Sequence, residues 1–392
     1  MTSFPRVGAV IGGHEEERRE RLVAELGAEV AIRRDSSSPS ASFPPIVVVV
    51  DGWSVLRTPG GDIAMLALGD ALARLLVEGA AVGLRFVIGT DRATSLTNAI
   101  APSIATRLVL CPTDAAESAS AGVRFSPLAV GVPGRALIAG RPGVEVQVWH
   151  TSEQEARSAA ASLPAERPAP GIEVLAEQVS LADVLAEATD VRPAHGPADA
   201  GGWVIPFGVG GRALDVVRLV LRASEPFLVC GPPRSGRSTA LETIGVAVLH
   251  GRPNVELVTL RRGGEPAAFV DEVREARRRN CSVLVLIDDV ERIEDTQGVL
   301  ARLLADDGDD LRIVVAGRAD VLRTAYGHWS AAARRSRHGL VLRPNPELDG
   351  DLWQAPLPRR LQVRGGPGRG VLVSDGSIEI VQVARPRSEG RA

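Results

Sequence analysis

Runs of apolar residues that end at a carboxylate divide this chain into two similar halves. In the second half, the apolar run 283–287 is followed by Asp288 and Asp289. In the first half, the run 47–50 is followed by Asp51. An uninterrupted apolar run of this length is typical of a parallel strand that is buried on both faces. The pattern therefore predicts two buried strands that each end at an acid.

The strands predicted after these acids also occur in pairs. Each half closes with a Pro-Gly-Arg phrase, and its first residues, Pro133 and Pro367, are 234 positions apart. Asp51 and Asp288 are 237 positions apart. A nearly constant spacing indicates a duplicated domain. The other predicted strands correspond as follows: 83–89 with 311–317, 106–110 with 337–342, and 144–148 with 378–383.

A glycine-bounded loop lies between an apolar strand and a helix candidate in the second half. It has the P-loop pattern G-x-x-x-x-G-K-[ST], with arginine in the lysine position. In such a loop, backbone N–H groups and the helix N-terminus bind phosphate oxygens. We expect the loop to bind ATP, although a strand-to-helix turn with two glycines is the alternative. The residues concerned are Gly231, Pro232, Pro233, Arg234, Ser235, Gly236, Arg237, Ser238 and Thr239.

The P-loop pattern suggests roles for Asp288 and Asp289. Asp288 is predicted to hold Mg²⁺ together with Ser238, either directly or through water. Asp289 stands where many ATP hydrolases have a longer glutamate that orients the attacking water, so it is the candidate catalytic residue. Arg237 would contact the phosphates, and the chain contains no lysine at all. Because a guanidinium is wider than an ammonium, we expect binding more than fast hydrolysis.

The first half lacks part of this set. No G-x-x-x-x-G-[KR]-[ST] pattern precedes Asp51, and Gly52 stands in the place of the second acid. We therefore predict that residues 1–150 are an incomplete, degenerate copy without a P-loop. Proline-rich sequence indicates a linker over 151–200, and 201–392 is the predicted P-loop domain. The sequence leaves open whether the chain is a fragment of a longer product.

Composition fits a multi-domain protein without a membrane span. The chain has 392 residues and a net charge of −3, which does not suggest a free nucleic-acid-binding surface. Three cysteines give no disulfide framework, which indicates a reducing compartment. No apolar stretch approaches the length of a transmembrane helix. We expect a cytoplasmic protein, or one held at the membrane through a larger assembly.

Several phrases carry a resemblance to a known family. A Pro-Phe-Gly phrase within 203–211 precedes the strand and loop 225–239, and the strands 83–92 and 106–110 and the turn 133–136 have further matching residues. Together they resemble the FtsK/SpoIIIE family of P-loop motor ATPases, and in particular actinobacterial tandem-domain proteins similar to type VII secretion ATPases. The departures from the family pattern are Arg237, Asp289, Asp91 for glutamine, and Gly52.

This resemblance implies tandem RecA-like α/β domains, with mostly parallel sheets and helices on both faces. It implies ATP and Mg²⁺ as ligands, and an oligomer or a partner ATPase subunit. An arginine of one copy could complete the site of its neighbour, with Arg318 and the cluster 334–337 as candidates. Two functions remain open. One is a segment of a translocase that moves double-stranded DNA or a secreted polypeptide, with weak or absent hydrolysis in isolation. The other is a non-catalytic regulatory or scaffolding ATP-binding module.

Overall fold

A computed structural model of the chain divides it into two compact units, Met1–Val174 and Leu175–Ala392. Each unit is treated by itself below. Cys111, Cys281, Arg337 and the parts 163–169 and 191–200 of the predicted linker lie outside the described residues. The structure describes residues 4, 6–36, 43–57, 63–97, 99–110, 115–124, 132–162, 170–190, 202–279, 282–336, 338–353, 357, 363, 365–374 and 376–386.

The first unit contains two small sheets over its described residues. Its elements are α1 (Glu16–Asp35), β1 (Ile46–Val50), α2 (Ile63–Gly79), β2 (Leu84–Ile88), β3 (Leu108–Leu110), α3 (Ala115–Ser120), β4 (Arg135–Ile138), β5 (Glu145–Gln147) and α4 (Glu153–Ala161). Strands β1 and β2 are parallel, whereas β3, β4 and β5 form an antiparallel sheet. Short 3-10 helices occur at Trp53–Arg57, Ala80–Val82, Ala93–Ser95 and Ala101–Ser103.

The core of the first unit lies on one face of β1 and β2. Val48 and Leu84 pack there against Leu26 of α1 and Leu75 of α2. Alternate residues of a strand point to opposite faces, so the neighbours of Val48 along β1 point away from this core. Trp53, directly after the strand, is fully buried in an adjoining cluster.

The second unit is built on one sheet. Its elements are α5 (Leu181–Asp190), β6 (Trp203–Gly210), β7 (Asp215–Leu221), β8 (Phe227–Cys230), α6 (Arg237–Gly251), β9 (Val255–Leu260), α7 (Pro266–Arg278), β10 (Ser282–Ile287), α8 (Val299–Leu304), β11 (Leu311–Gly317), α9 (Ala319–Thr324), α10 (Ala331–Arg335), β12 (Gly339–Leu342), β13 (Arg369–Ser374) and β14 (Ser377–Val383). Short 3-10 helices occur at Val290–Arg292 and Asp349–Leu352.

The nine strands described in this unit have the order β7-β6-β14-β13-β12-β8-β11-β10-β9. Pairing is parallel from β12 to β9 and antiparallel from β7 to β12. The predicted mostly parallel sheet is therefore wrong, because the sheet is mixed. The antiparallel part arises where short turns join β6 to β7 and β13 to β14, since only antiparallel strands can be joined by tight hairpins.

Helices cover both faces of the parallel part. Val283, Val285 and Ile287 of β10 point into a core that contains residues of α7 and α8. Leu284 and Leu286 point to the opposite face, into a core that contains residues of α6. The continuous apolar run of β10 thus serves two cores, as expected for a strand buried on both faces.

Matching hydrogen bonds support the duplication. In the first unit, Arg135 Nε donates to Gln147 Oε1 at 3.1 Å, and Gln147 Nε2 donates to Pro133 O at 2.9 Å. In the second unit, Arg369 Nε donates to the Gln382 Oε1 at 3.0 Å, and Gln382 Nε2 donates to the carbonyl of the matching proline at 3.1 Å. We call each set the Arg–Gln clasp. In both halves, the Pro-Gly-Arg phrase supplies the arginine and the proline carbonyl of this clasp.

Within the described part of the chain, no helix is both long and apolar enough to cross a membrane.

Candidate functional site

The glycine-bounded loop follows β8 and ends where α6 begins. All four residues of β8 are buried, so the strand fixes the position of Gly231. A Cβ atom on Gly231 would lie 2.6 Å from Leu342 O, which leaves no space for a side chain. Gly236 has a φ of +103°, a left-handed value that favours glycine. Both glycines that define the predicted P-loop are therefore required by the local backbone.

Polar backbone contacts hold the middle of the loop. Ser235 is fully buried, and its carbonyl accepts a hydrogen bond from the Gly368 N–H at 2.8 Å. The Ser235 N–H donates to Pro232 O at 3.3 Å. Pro232, Pro233 and Arg234 are exposed at the loop surface. At the start of α6, the Thr239 carbonyl accepts from the Thr243 hydroxyl at 2.9 Å.

The structure brings the two predicted magnesium ligands together. The Ser238 hydroxyl donates to Asp288 Oδ2 at 2.6 Å. The other oxygen of Asp288, Oδ1, accepts from the Asp289 N–H at 2.9 Å, and the Asp288 N–H donates to Leu260 O at 2.9 Å. A hydroxyl and a carboxylate in contact at the end of a strand suit Mg²⁺, which needs few protein ligands beside phosphate and water. Over the described residues, no group of three or more His, Cys, Asp or Glu side chains could hold a metal by itself.

Arg237 points back onto its own loop and the neighbouring acid. One terminal nitrogen donates to Gly231 O at 2.7 Å, and the other donates to Asp289 Oδ1 at 2.9 Å. Only 12% of the Arg237 side chain is exposed, against 32% for Asp289. In this arrangement the guanidinium charge is neutralised by Asp289. A turn of Arg237 toward a phosphate would break both contacts.

A further acid, which sequence reasoning left without a role, lies behind this pair. Only 4% of the Glu291 side chain is exposed, and its Oε1 lies 4.0 Å from the Arg237 guanidinium. Its Oε2 accepts from the Arg318 N–H at 3.2 Å. The signal in the sequence was an acid two positions after Asp289, at a point where the chain turns back toward the sheet. Glu291 adds negative charge on the inner side of Arg237.

Of the candidates for an arginine that acts on a neighbour, Arg318 and Arg334 are bound within the second unit, and Arg335 is exposed. Arg318 pairs with Asp320 at 2.6 Å, and this contact raises the pKa of Arg318 and lowers that of Asp320. Arg334 donates to the carbonyls of Leu322 and Ala325 at 2.9 and 2.7 Å. Neither side chain lies in hydrogen-bond contact with Ser238 or Asp288 among the contacts of the described residues.

The corresponding end of β1 has a different chemistry. Asp51 ends the strand, and Gly52 follows it with a φ of +74°. A Cβ atom on Gly89 would lie 2.9 Å from Asp51 Oδ1, so the two strands approach closely here. A hydrogen bond from Ser54 lowers the pKa of the Asp91 carboxyl, which is exposed. Gly52 thus stands directly after Asp51, where the second unit has Asp289 directly after Asp288.

Comparisons with known proteins show which proteins the chain is similar to in sequence and fold. The chain is 25% identical over 98% of its length to the ESX-4 secretion system protein EccC4 of Mycobacterium tuberculosis. It matches the structure of EssC (ATPases 2 and 3) from Geobacillus thermodenitrificans with a TM-score of 0.72 and 18% identity, over 98% of this chain and 82% of that one. The chain resembles the EccC/EssC ATPase domains of type VII secretion over nearly its whole length.

A structure of Thermomonospora curvata EccC (ATPases 2 and 3) in complex with a signal sequence peptide matches with a TM-score of 0.59 and 20% identity, over 98% of this chain and 80% of that chain. The tandem α/β fold is thus shared with EccC and EssC. The chain spans only 34% of EccC4, and 45% of the ESX-1 protein EccCb1 of Mycolicibacterium smegmatis, to which it is 25% identical over 63% of its length. No model of a protein family matches the chain.

Proposed function

We propose that residues 201–392 form an ATP-binding domain within a type VII protein translocation machine. The observation that carries the proposal is the contact of Ser238 with Asp288 at 2.6 Å, at the end of a loop whose glycines the backbone requires. A P-loop whose hydroxyl meets a strand-end acid is the arrangement that binds Mg·ATP. In this proposal, residues 1–150 are a degenerate copy without a P-loop, and 151–200 join the two.

Each site residue has a role in this proposal. The backbone of 231–236 and the N-terminus of α6 bind the phosphates. Ser238 and Asp288 hold Mg²⁺, and Arg237 leaves Asp289 to contact the β- and γ-phosphates. Asp289 is the candidate that positions the attacking water. Its side chain is one methylene shorter than glutamate, and a misplacement of about 1 Å can cost about a hundredfold in rate.

The cargo in this proposal is a polypeptide. The relatives reported above are secretion proteins, and one homologous structure is a complex with a signal sequence peptide. These names favour protein over DNA as the moved substrate. The net charge of −3 agrees, because a DNA-tracking groove needs a surplus of positive charge.

The second candidate function is a non-catalytic regulatory ATP-binding module. The observation that favours it is the pair of Arg237 with Asp289, which occupies the water-positioning acid in the structure. In this case ATP binding changes the contacts of the loop and no turnover follows.

Calorimetric titration with Mg·ATP, together with steady-state hydrolysis, tests both candidates. We expect one site per chain, in the second unit, and slow or unmeasurable turnover. Two sites, or none, would overturn the binding proposal. Fast turnover that a signal peptide stimulates would exclude the regulatory candidate, whereas stimulation by double-stranded DNA would exclude a polypeptide cargo. The Ser238→Ala chain is the negative control, because it lacks the hydroxyl for Mg²⁺ and keeps the loop backbone.

A further inference from the structure

The sheet of the second unit contains a strand, β8, that has no counterpart among the described strands of the first unit. In the second unit, β8 lies between β11 and β12 and is parallel to both. In the first unit, the described strands β1 and β2 form one sheet, and β3, β4 and β5 form another. By the duplication, β2 corresponds to β11 and β3 to β12. Over its described residues, the first unit therefore has two open strand edges where the second has β8.

The pair β1–β2 of the first unit has the same register as the pair β10–β11 of the second unit. The corresponding cross-strand pairs are Val47–Arg85 with Leu284–Arg312, and Val49–Val87 with Leu286–Val314. Arg85 and Arg312 occupy the same position in the two pairs. This agreement allows the environment of each residue in the first unit to be compared with that of its counterpart.

The side chains on this face are exposed in the first unit and buried in the second. Val47, Val49 and Val87 have exposed fractions of 58%, 70% and 55%. Their counterparts Leu284, Leu286 and Val314 have fractions of 0%, 4% and 0%. An exposed apolar patch is a candidate contact surface when the corresponding residues of a similar domain are buried.

The second unit shows what covers this face. Ala240, Leu241, Ile244 and Val248 of α6 pack against it in the same core cluster. The contact is close, because a Cβ atom on Gly245 would lie 3.3 Å from Leu286. The cover is a helix of 15 residues whose inner face carries small and aliphatic side chains.

The open edge of β3 has the same contrast. Leu108 and Leu110 are 48% and 56% exposed, whereas Leu340 and Leu342 of β12 are fully buried beside β8. An unpaired strand edge presents free N–H and C=O groups to any added strand. The first unit thus offers both an apolar face for a helix and two edges for a strand.

We propose that the first unit binds a strand–loop–helix segment of another polypeptide in the position that β8 and α6 occupy in the second unit. The segment consists of about four apolar residues that add a strand parallel to β2 and β3, a glycine-containing turn, and a mostly apolar helix of about 15 residues, as in the duplicate. This inference does not depend on ATP binding by the second unit.

A fluorescent peptide with the sequence of residues 225–251 of this chain is the probe, because it is the segment that fits the duplicate. Its binding to the full chain is followed by fluorescence anisotropy. We expect saturable binding that Val49→Arg weakens at least roughly tenfold, since a guanidinium would be buried under the helix. Val77→Arg is the matched control, because Val77 is 49% exposed on α2, away from this face. It should leave binding unchanged.

Several results would overturn the proposal. The first is no saturable binding, and the second is equal weakening by the two arginine variants. A scrambled peptide that binds equally well would show that the contact lacks a defined strand and helix. Sedimentation of the full chain tests a second copy as the occupant. A dimer that Val49→Arg converts to a monomer would assign the face to self-association, whereas a monomer in both cases agrees with a separate partner. Circular dichroism confirms that the variants fold.

Discussion

Replacing Arg237 by alanine should weaken Mg·ATP binding, but by less than a full phosphate contact is worth. In the structure, the guanidinium already donates to Gly231 O and to Asp289. We expect the guanidinium to break these contacts when it turns to the phosphates of ATP. The alanine variant loses the phosphate contact in the complex, and it also loses the resting contacts in the free chain.

The magnitude follows from these two sets of contacts. A charge-assisted hydrogen bond to phosphate is worth about 1.5–3 kcal/mol. The resting contact of the guanidinium with Asp289 contributes about 0.2–1 kcal/mol, because the pair is partly exposed, and its contact with the Gly231 carbonyl contributes a similar amount. Both are lost when Arg237 turns to the phosphates. The net loss is then about 1 kcal/mol, which is roughly fivefold in Kd.

If Asp289 holds Arg237 away from the phosphates, a substitution of Asp289 should change the affinity for Mg·ATP in the opposite direction. Asp289→Asn removes the charge that holds Arg237 and a negative charge near the phosphates, so Mg·ATP should bind several-fold more tightly. Both variants are measured by calorimetric titration, with Arg274→Ala as the control, because Arg274 forms a similar pair with Asp271 on the surface of α7. The reasoning fails if Arg237→Ala leaves Kd unchanged, or if Asp289→Asn weakens binding.

Three further predictions concern chemistry and stability. Asp288→Ala should remove the dependence of ATP binding on Mg²⁺, measured by titration with and without EDTA; unchanged dependence would place the metal elsewhere. Asp289→Glu should raise single-turnover hydrolysis if the site is otherwise intact, and no change would indicate that another group is missing. Arg277 lowers the pKa of Asp310 from its ordinary value of 3.8. The stabilisation is therefore complete above that value and disappears as the pH falls through the lowered pKa. Urea unfolding of Arg277→Met should lack this acid-dependent part, and an identical pH profile would contradict it.

The sequence was sufficient for the elements that repeat. The apolar runs before Asp51 and Asp288 predicted β1 and β10, because only buried strands keep such runs. The glycine-bounded loop was placed correctly between β8 and α6, with 237–239 at the start of the helix, because glycines and an apolar strand mark a strand-to-helix turn. The roles proposed for its residues are still predictions.

Other features depend on contacts that no local pattern carries. The mixed sheet was not predicted, because 203–211 was interpreted only as an entry phrase and no element was assigned to 215–221, whereas β6 and β7 form a hairpin there. The pairing of Arg237 with Asp289 joins residues that are distant in sequence, and the pattern gave only their types. Glu291 had no predicted role because its burial depends on the turn after β10.

The two Arg–Gln clasps place the same pair of side chains in an exposed and in a buried environment within one polypeptide. Arg369 and Gln382 are buried, and Arg369 also donates to Leu175 O at 2.6 Å, whereas the first clasp lies at the surface. A double-mutant cycle on each clasp would compare one hydrogen bond in a wet and in a dry setting, with distance and backbone nearly constant. The repeated clasp thus offers an internal reference for measuring how dielectric surroundings alter the strength of a polar contact.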